Sequence, residues 1–406
     1  MPACGTLAGD EETAMIRKID DLNLHDKTVF LRVDFNVPID QGKITETHRI
    51  ESALPTIRLI LERARKIIIA SHLGRPDGKV VAKFSLAPVR DYLERSLGQP
   101  VIMAPDCIGA DVERLARDPD HRILLLENLR FHKEEEKNDP AFSRRLAALA
   151  DVYIDDAFGA AHRAHASIAG MANLFKEKGA GLLLRKEFDY LSRVLSKPES
   201  PFVMILGGAK VSDKIGVIRN LLPKVNTLLI GGGMAYTFLK ANGVDIGRSL
   251  IESDKIALAE ALMKEAAERG VSLLLPVDHV TGDADKRNPV VGSTQIPPDR
   301  MGLDIGPKTV ARFTDEIRKA KMVLWNGPVG LFEVEPYSQG SRALAQALAQ
   351  SQPQLVSIIA GGDTVAAVTA AGVADKITHL STGGGATLEF LEGRELPGIT
   401  ALEVVV

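Results

Sequence analysis

Cysteine is nearly absent: Cys4 and Cys107 are the only two in 406 residues, too few for a disulfide framework, so a buried core has to hold the fold. A surplus of either charge is missing too. With 50 Lys and Arg against 53 Asp and Glu the net charge is -3, which supplies no basic field for nucleic acid and leaves any affinity for anions to local clusters. Long apolar runs are also wanting. Residues 1–13 lack the charged start and apolar stretch of a secretory leader, and no later run is long enough to span a bilayer. We therefore expect a soluble cytoplasmic protein with no nucleic-acid or membrane partner, preceded by a mobile extension that contains Cys4. Apolar residues at 45% and charged residues at 25% leave no case for disorder.

What is present is a rhythm of short β-branched runs separated by helical stretches, the pattern of parallel strands with helical crossovers. The length exceeds what one core usually serves, so two domains of about 180 to 200 residues are expected. In the first half, strands are predicted at 28–33, 66–70, 101–103, 123–126 and 152–154. In the second they fall at 202–206, 227–230, 272–275, 322–325, 357–359 and 377–380. These runs are continuously apolar, as strands buried on both faces are. The expected fold class is α/β: two doubly wound parallel-sheet (Rossmann-like) domains, 1–185 and 202–386. Between them, 186–201 reads as a joining helix and linker, with Leu184, Phe188, Leu191, Val194 and Leu195 at helical spacing and Pro198 and Pro201 as the stop. It serves either as a hinge or as a stiff connection. The apolar end Val404-Val405-Val406 predicts that the tail, 387–406, docks back on the first domain.

Ligands of open α/β sheets sit beyond the carboxyl ends of the strands. In the first half those positions hold Asp34-Phe35-Asn36, His72-Leu73-Gly74-Arg75, Arg130 and His162-Arg163, and Arg49 reaches in from a helix that begins near Ile50. Singly, each Arg reads as a surface charge and each His as a packing residue. Together, cations from four strand ends would repel one another unless an anion with several charges lay at their centre. A phosphate plus a carboxylate meets that need, with Asp34 and Asn36 left to orient hydroxyl groups.

In the second half the strand ends carry glycine turns instead. Gly207-Gly208-Ala209-Lys210 leads into Val211-Ser212-Asp213-Lys214, where a helix is expected with Ser212 or Asp213 as its cap and both lysines on one face. Gly361-Gly362-Asp363-Thr364 opens another helix. Its amides suit a phosphate, and Asp363 suits either a magnesium ion bridging phosphate oxygens or a plain N-cap. After the strand at 322–325 an apolar loop ends in Glu333, which is placed to accept ribose hydroxyls. Gly231-Gly232-Gly233 reads as a tight turn. Neither a Gly-Lys-Ser/Thr phosphate loop nor a dinucleotide fingerprint occurs. Two phosphorylated ligands, one per half, are expected.

Read in order, Val33-Asp34-Phe35-Asn36-Val37-Pro38, Ser71-His72-Leu73-Gly74-Arg75-Pro76, Glu127-Asn128-Leu129-Arg130-Phe131, Asp156-Ala157-Phe158-Gly159 with His162-Arg163, Gly207-Gly208-Ala209-Lys210-Val211, Trp325-Asn326-Gly327-Pro328 and Ser381-Thr382-Gly383-Gly384-Gly385-Ala386 resemble the signatures of the phosphoglycerate kinase family. The resemblance runs from about residue 27 to 396. It implies reversible transfer of a phosphoryl group between 1,3-bisphosphoglycerate and ADP, giving 3-phosphoglycerate and ATP with Mg2+, by in-line transfer in a monomer after domain closure. It assigns Asp34, Phe35, Asn36, Arg49, His72, Leu73, Gly74, Arg75, Arg130 and Arg163 to the phosphoglycerate. Lys214, Gly302, Glu333, Gly361, Gly362, Asp363 and Thr364 go to the nucleotide, Asp363 to its metal, and Arg49 and Lys210 to the phosphoryl in flight. Asp155, where Asn is expected, adds a charge near Arg163, and Leu331 replaces a commoner Val. A phospholigand sensor on the same sheets and an NAD-dependent dehydrogenase are the alternatives; Lys210, Lys214 and Asp363 speak against the first and the missing fingerprint against the second.

Overall fold

The computed structural model describes residues 14–405; Cys4, with the rest of the N-terminal extension, and Val406 lie outside the described residues. The chain divides into two compact units, one running to Lys186 and resuming at Glu395, the other formed by Glu187–Arg394. Each is a Rossmann-like α/β domain around a six-stranded sheet in which every pairing is parallel.

The first sheet runs, edge to edge, Ile102–Met103, Ile123–Leu125, Lys66–Ala70, Thr28–Arg32, Val152–Asp155 and Lys178–Ala180. Chain order reverses between Thr28–Arg32 and Val152–Asp155, so the crevice beyond those two carboxyl ends is where a ligand belongs. Val29, Leu31, Ile67, Ile69 and Ile154 face one core with Ile57 and Ile60 of the helix His48–Arg63, and each such side chain contributes roughly 1.5 to 3 kcal/mol on burial.

The second sheet runs Ser272–Leu274, Thr227–Ile230, Phe202–Leu206, Met322–Asn326, Val356–Ala360 and His379–Leu380, reversing between Phe202–Leu206 and Met322–Asn326. Its core gathers Val203, Ile205, Val323 and Trp325 against Phe313 and Leu344. Every strand expected from the apolar runs is present, with ends displaced by no more than two residues.

Four features depart from expectation. The edge strand Lys178–Ala180 has no apolar run to announce it. A separate antiparallel sheet, Asp278–Gly282 between Val290–Ser293 and Met301–Ile305, was hidden because Asp278, Gly282, Gly292 and Gly302 break its pattern. The joining helix is Leu182–Ser196, opening two residues ahead of Leu184, the first apolar residue read into it: Leu182 N donates to Thr56 Oγ1 at 3.0 Å and Leu184 N to Asp156 Oδ1 at 3.0 Å. The tail divides as well. Helix Gly385–Leu391 stays with the second unit, where Asn220 Nδ2 donates to Leu391 O at 2.8 Å, and only the residues from Glu395 return to the first. There Glu403–Val405 pairs antiparallel with Ala14–Ile16, and Lys178 Nζ donates to Ala401 O at 2.7 Å.

The Asp156 cap carries a pH dependence. Burial pushes its carboxyl from 3.8 up to about 7, against the hydrogen bonds from Thr56 and Leu184. Between those values the folded protein keeps a proton that the unfolded chain has lost. The stability from this group is therefore full below about pH 4 and is lost as pH rises towards 7. Asp156→Asn keeps an acceptor for Leu184 N, and we expect its Tm to gain on the parent's between pH 5 and 8; a difference unchanged by pH contradicts this.

Candidate active site

At the switch point of the first sheet stands Arg32, a fully buried arginine that lies in register with Asp155 on the neighbouring strand. Its guanidinium is spent on the protein: Nε donates to Ser167 Oγ at 2.8 Å, Nη1 donates to Val33 O, and Nη2 lies 3.2 Å from His72 Nδ1. Arginine can only donate, so Nδ1 accepts and His72 carries its proton on Nε2. Burial first, and then Arg32, Arg130, His165 and Arg49, hold its pKa well below 6.5. His72 is thus a neutral donor whose Nε2 lies 3.9 Å from Asp34 Oδ1.

Beneath Arg32, the fully buried Glu135 accepts Ser167 Oγ–H at 2.6 Å and Ser167 N–H at 3.0 Å. Burial raises this carboxyl, and Arg32 and Ser167 oppose the rise. Asp155 is raised to about 6 for the same reason, and the leading charges acting on it belong to Arg32 and Asp34, not to Arg163 as expected.

Around this base the sequence-selected residues converge. Arg49, second residue of the helix His48–Arg63, donates through Nη1 to Asp34 Oδ2 and Asn36 O, both at 3.1 Å. Gly74 N donates to Asn36 Oδ1 at 2.9 Å, and Gly74 O accepts from Arg130 Nη1 at 2.8 Å. The positive φ of Gly74, +62°, and the Phe84 ring packed where a Cβ would stand require glycine here. Arg130 is buried, its Nε 3.4 Å from Glu136 Oε1 but without hydrogen-bond geometry. Burial, with Arg32 and Arg163 pushing the same way, brings its pKa down to about 10. Arg163 Nε donates to His162 Nε2 at 3.1 Å. His165, unselected by the sequence reading, is driven down to about 3 by burial and by Arg130, Arg32 and Arg163. Burial first, and the neighbouring guanidiniums second, disfavour the charged form of both imidazoles; a multiply charged anion would relieve the second of these. Arg75 is exposed and bonds to nothing among the described residues. Phe35 and Leu73 sit with their side chains in the core, which leaves only their backbones to a ligand.

In the second unit two loops cross at the switch point. Gly207 N donates to Asn326 O at 3.0 Å and Gly208 N to Pro328 O at 2.9 Å, while a methyl at Gly207 would fall on the Pro328 carbonyl. This crossing floors a cavity of about 350 Å3 lined by Lys210, Lys214, Gly361, Gly362, Asp363 and Thr364. Beside it a cavity of about 470 Å3 takes in Tyr236, Leu250, Gly302, Phe332, Glu333 and again Asp363. Every nucleotide residue chosen from the sequence lies on one of the two.

Local geometry corrects two details. Neither Ser212 nor Asp213 caps a helix: the helix is Ile215–Leu221 with Lys214 at its N-cap, because Glu252 takes Ser212 Oγ–H at 2.6 Å and both the Val211 and Ser212 amides. Lys210 and Lys214 therefore precede the helix and share a cavity wall instead of a helical face. Lys214 Nζ donates to Asn326 Oδ1, and burial lowers its pKa. Asp363 does not cap either. Gly361, at φ +90°, is the N-cap of Gly362–Ala370, and among the described residues no side chain caps that helix and the exposed Asp363 carboxylate has no hydrogen-bond or ion-pair partner. Thr364 Oγ1, by contrast, accepts Gly327 N–H at 2.7 Å and locks the two loops together.

Comparison with known proteins gives one answer. A family model described as phosphoglycerate kinase matches residues 19–394. A phosphoglycerate kinase of Anaeromyxobacter dehalogenans (strain 2CP-C) is 56% identical across 96% of this chain and 99% of its own, and a cytosolic one of Triticum aestivum is 51% identical across 95% and 97%. Among solved structures, that of phosphoglycerate kinase from Coxiella burnetii superposes with a TM-score of 0.86 at 44% identity, covering 96% of this chain and 99% of that one. The Pyrococcus horikoshii OT3 enzyme gives 0.82 at 32%, covering 96% and 98%.

Proposed function

The chain belongs to the phosphoglycerate kinase family, and from that premise we propose how its residues divide the reaction. The protein is an ATP-dependent phosphotransferase acting between 1,3-bisphosphoglycerate and ADP, with 3-phosphoglycerate and ATP as the other pair. The first-unit cluster takes the phosphoglycerate: Arg75, Arg130 and Arg163 hold its phosphate and carboxylate, and neutral His72 donates from Nε2. Asp34 and Asn36 orient its hydroxyl. Lys214 and the amides of Gly361–Thr364 hold the nucleotide phosphates, and Gly302 and Glu333 flank the nucleoside. The observation that carries this division is the gathering of Arg49, His72, Arg130 and Arg163 at the strand ends of one unit, and of glycines and two lysines around a cavity in the other.

The acceptor oxygen is a carboxylate ionised at neutral pH, so no general base is needed. That agrees with a site whose imidazoles are held neutral by their surroundings. Arg49 and Lys210 then stabilise charge on the equatorial oxygens of the transferring group. Closure about residues 182–201 would bring the ligands together and exclude water from the acyl phosphate. Small-angle scattering should register compaction with both ligands and with neither alone; no compaction removes closure.

Mg2+ accompanies ATP in this family, and it usually binds through one or two carboxylates plus phosphate oxygens. Asp363 fits that donor set, being unpaired and present on both cavities. The ion would neutralise charge on the phosphates. We expect Asp363→Ala to weaken MgATP more than metal-free ATP in calorimetric titrations, whereas equal losses would leave Asp363 no metal role.

A monomer in the cytoplasm completes this reading. The name of the wheat relative supports the location, and no helix among the described residues is long and apolar enough to cross a membrane. Light scattering at the 43.8 kDa of one chain would agree; twice that mass would not.

A further inference from the structure

Among residues given no part in binding either ligand, three donor atoms of different chemistry meet. Asp106 and Cys107 follow the strand Ile102–Met103, and His132 follows the turn Leu129–Phe131. His132 Nε2 lies 2.6 Å from Asp106 Oδ1, the same oxygen accepts Cys107 N–H at 2.6 Å, and the sulfur, oxygen and nitrogen all lie within 4.8 Å of one another. The imidazole is held in place by the Phe142 ring, with centroids 5.4 Å apart. Cys107 is fully buried, while Asp106 and His132 are half-buried. The sulfur therefore forms the floor, and the oxygen and nitrogen stand on the solvent side.

We propose that Asp106, Cys107 and His132 form a binding site for a divalent cation of the zinc class, with water as the fourth ligand. A set of one sulfur, one imidazole and one carboxylate excludes Mg2+ and Ca2+, which take oxygen ligands, and suits Zn2+, which accepts all three donors in a tetrahedron. Tetrahedral bonds of about 2.0 to 2.3 Å put donor atoms roughly 3.5 Å apart. The Asp106–His132 contact must then open by about 1 Å, which side-chain rotation at two half-buried residues can supply. A carboxylate–imidazole pair alone explains one contact, but it has no need of a thiol within reach of both partners. On binding, Cys107 ligates as thiolate and its proton passes to solvent, while His132 ligates as neutral imidazole. Occupancy would tie the loop after Ile102–Met103 to the turn that carries Arg130, two residues before His132.

Cobalt(II) reads the sulfur ligand directly. Full-length Cys4→Ser protein, freed of metal by a chelator, is titrated with Co2+ in phosphate-free buffer. We expect one equivalent to bind with a near-ultraviolet sulfur-to-cobalt charge-transfer band and the visible bands of tetrahedral cobalt, all removed by Zn2+. Adding Cys107→Ser should abolish the charge-transfer band, and adding His132→Gln should weaken binding at least about tenfold. No sulfur band in the Cys4→Ser protein, or a band that survives Cys107→Ser, overturns the proposal. Should the Cys107 variant not fold, unchanged cobalt affinity in the His132→Gln protein overturns it equally.

Discussion

Arg49→Ala should lower kcat by about 10²- to 10³-fold, the loss of roughly 3 to 4 kcal/mol expected when one well-placed donor to developing charge is removed. One nitrogen of its guanidinium is spent: Nη1 bonds Asp34 Oδ2 and Asn36 O, which fixes the plane of the group at the mouth of the site. Nε and Nη2 have no hydrogen-bond partner among the described residues and are available to a phosphoryl group. The side chain is about a third exposed, so its removal opens no core cavity and should leave folding intact. The KM for 3-phosphoglycerate should change much less than kcat. A rise in KM with kcat preserved would instead make Arg49 a ground-state binding residue. Lys210, exposed and without a partner among the described residues, should behave as Arg49 does.

Glu135→Ala is expected to destabilise the protein by about 3 to 5 kcal/mol in denaturant titrations, the usual consequence of removing one member of a buried charged network. Arg32 is fully buried and hydrogen-bonds Ser167, which in turn gives both its hydroxyl and its amide to Glu135. Without the carboxylate, the guanidinium and the Ser167 donors lose their compensation together. Because Arg32 also sets the His72 tautomer, the KM for 3-phosphoglycerate should rise alongside the loss of stability. Glu135→Gln keeps an acceptor for Ser167 and should fall between parent and alanine variant. A cost below about 1 kcal/mol for Glu135→Ala, within the range of an ordinary surface change, would show that Asp155 alone compensates Arg32.

All strands of the two parallel sheets except the edge strand Lys178–Ala180 were legible, because burial on both faces leaves largely apolar runs. The candidate site was legible because ligands of parallel sheets sit at strand ends, where Asp34, His72, Lys210 and Asp363 stand. What stayed hidden lies one layer deeper. Arg32 is the one charge inside the run 28–33, and nothing local says that its guanidinium turns inward. Glu135 sits among Glu134 and Glu136 in a run that reads as a solvated helix, and only its contact with Ser167, 32 positions away, sets it apart. Helix caps failed for a related reason. Glu252 captures the Ser212 hydroxyl from 40 residues downstream, and no local pattern anticipates such competition. Gly302 could be placed only through its family likeness, since the antiparallel sheet that carries it has no continuous apolar strand. In space it packs on the Tyr236 hydroxyl, where a methyl would not fit.

The account rests on phosphoryl transfer between two ligands held by different units, and a coupled assay of the full chain with 3-phosphoglycerate and MgATP tests it most directly. We predict continuous formation of 1,3-bisphosphoglycerate and ADP that needs both substrates and is nearly abolished in Arg49→Ala and Lys210→Ala. Both ligands binding with no transfer between them would contradict it, and would leave a sensor built on the same sheets.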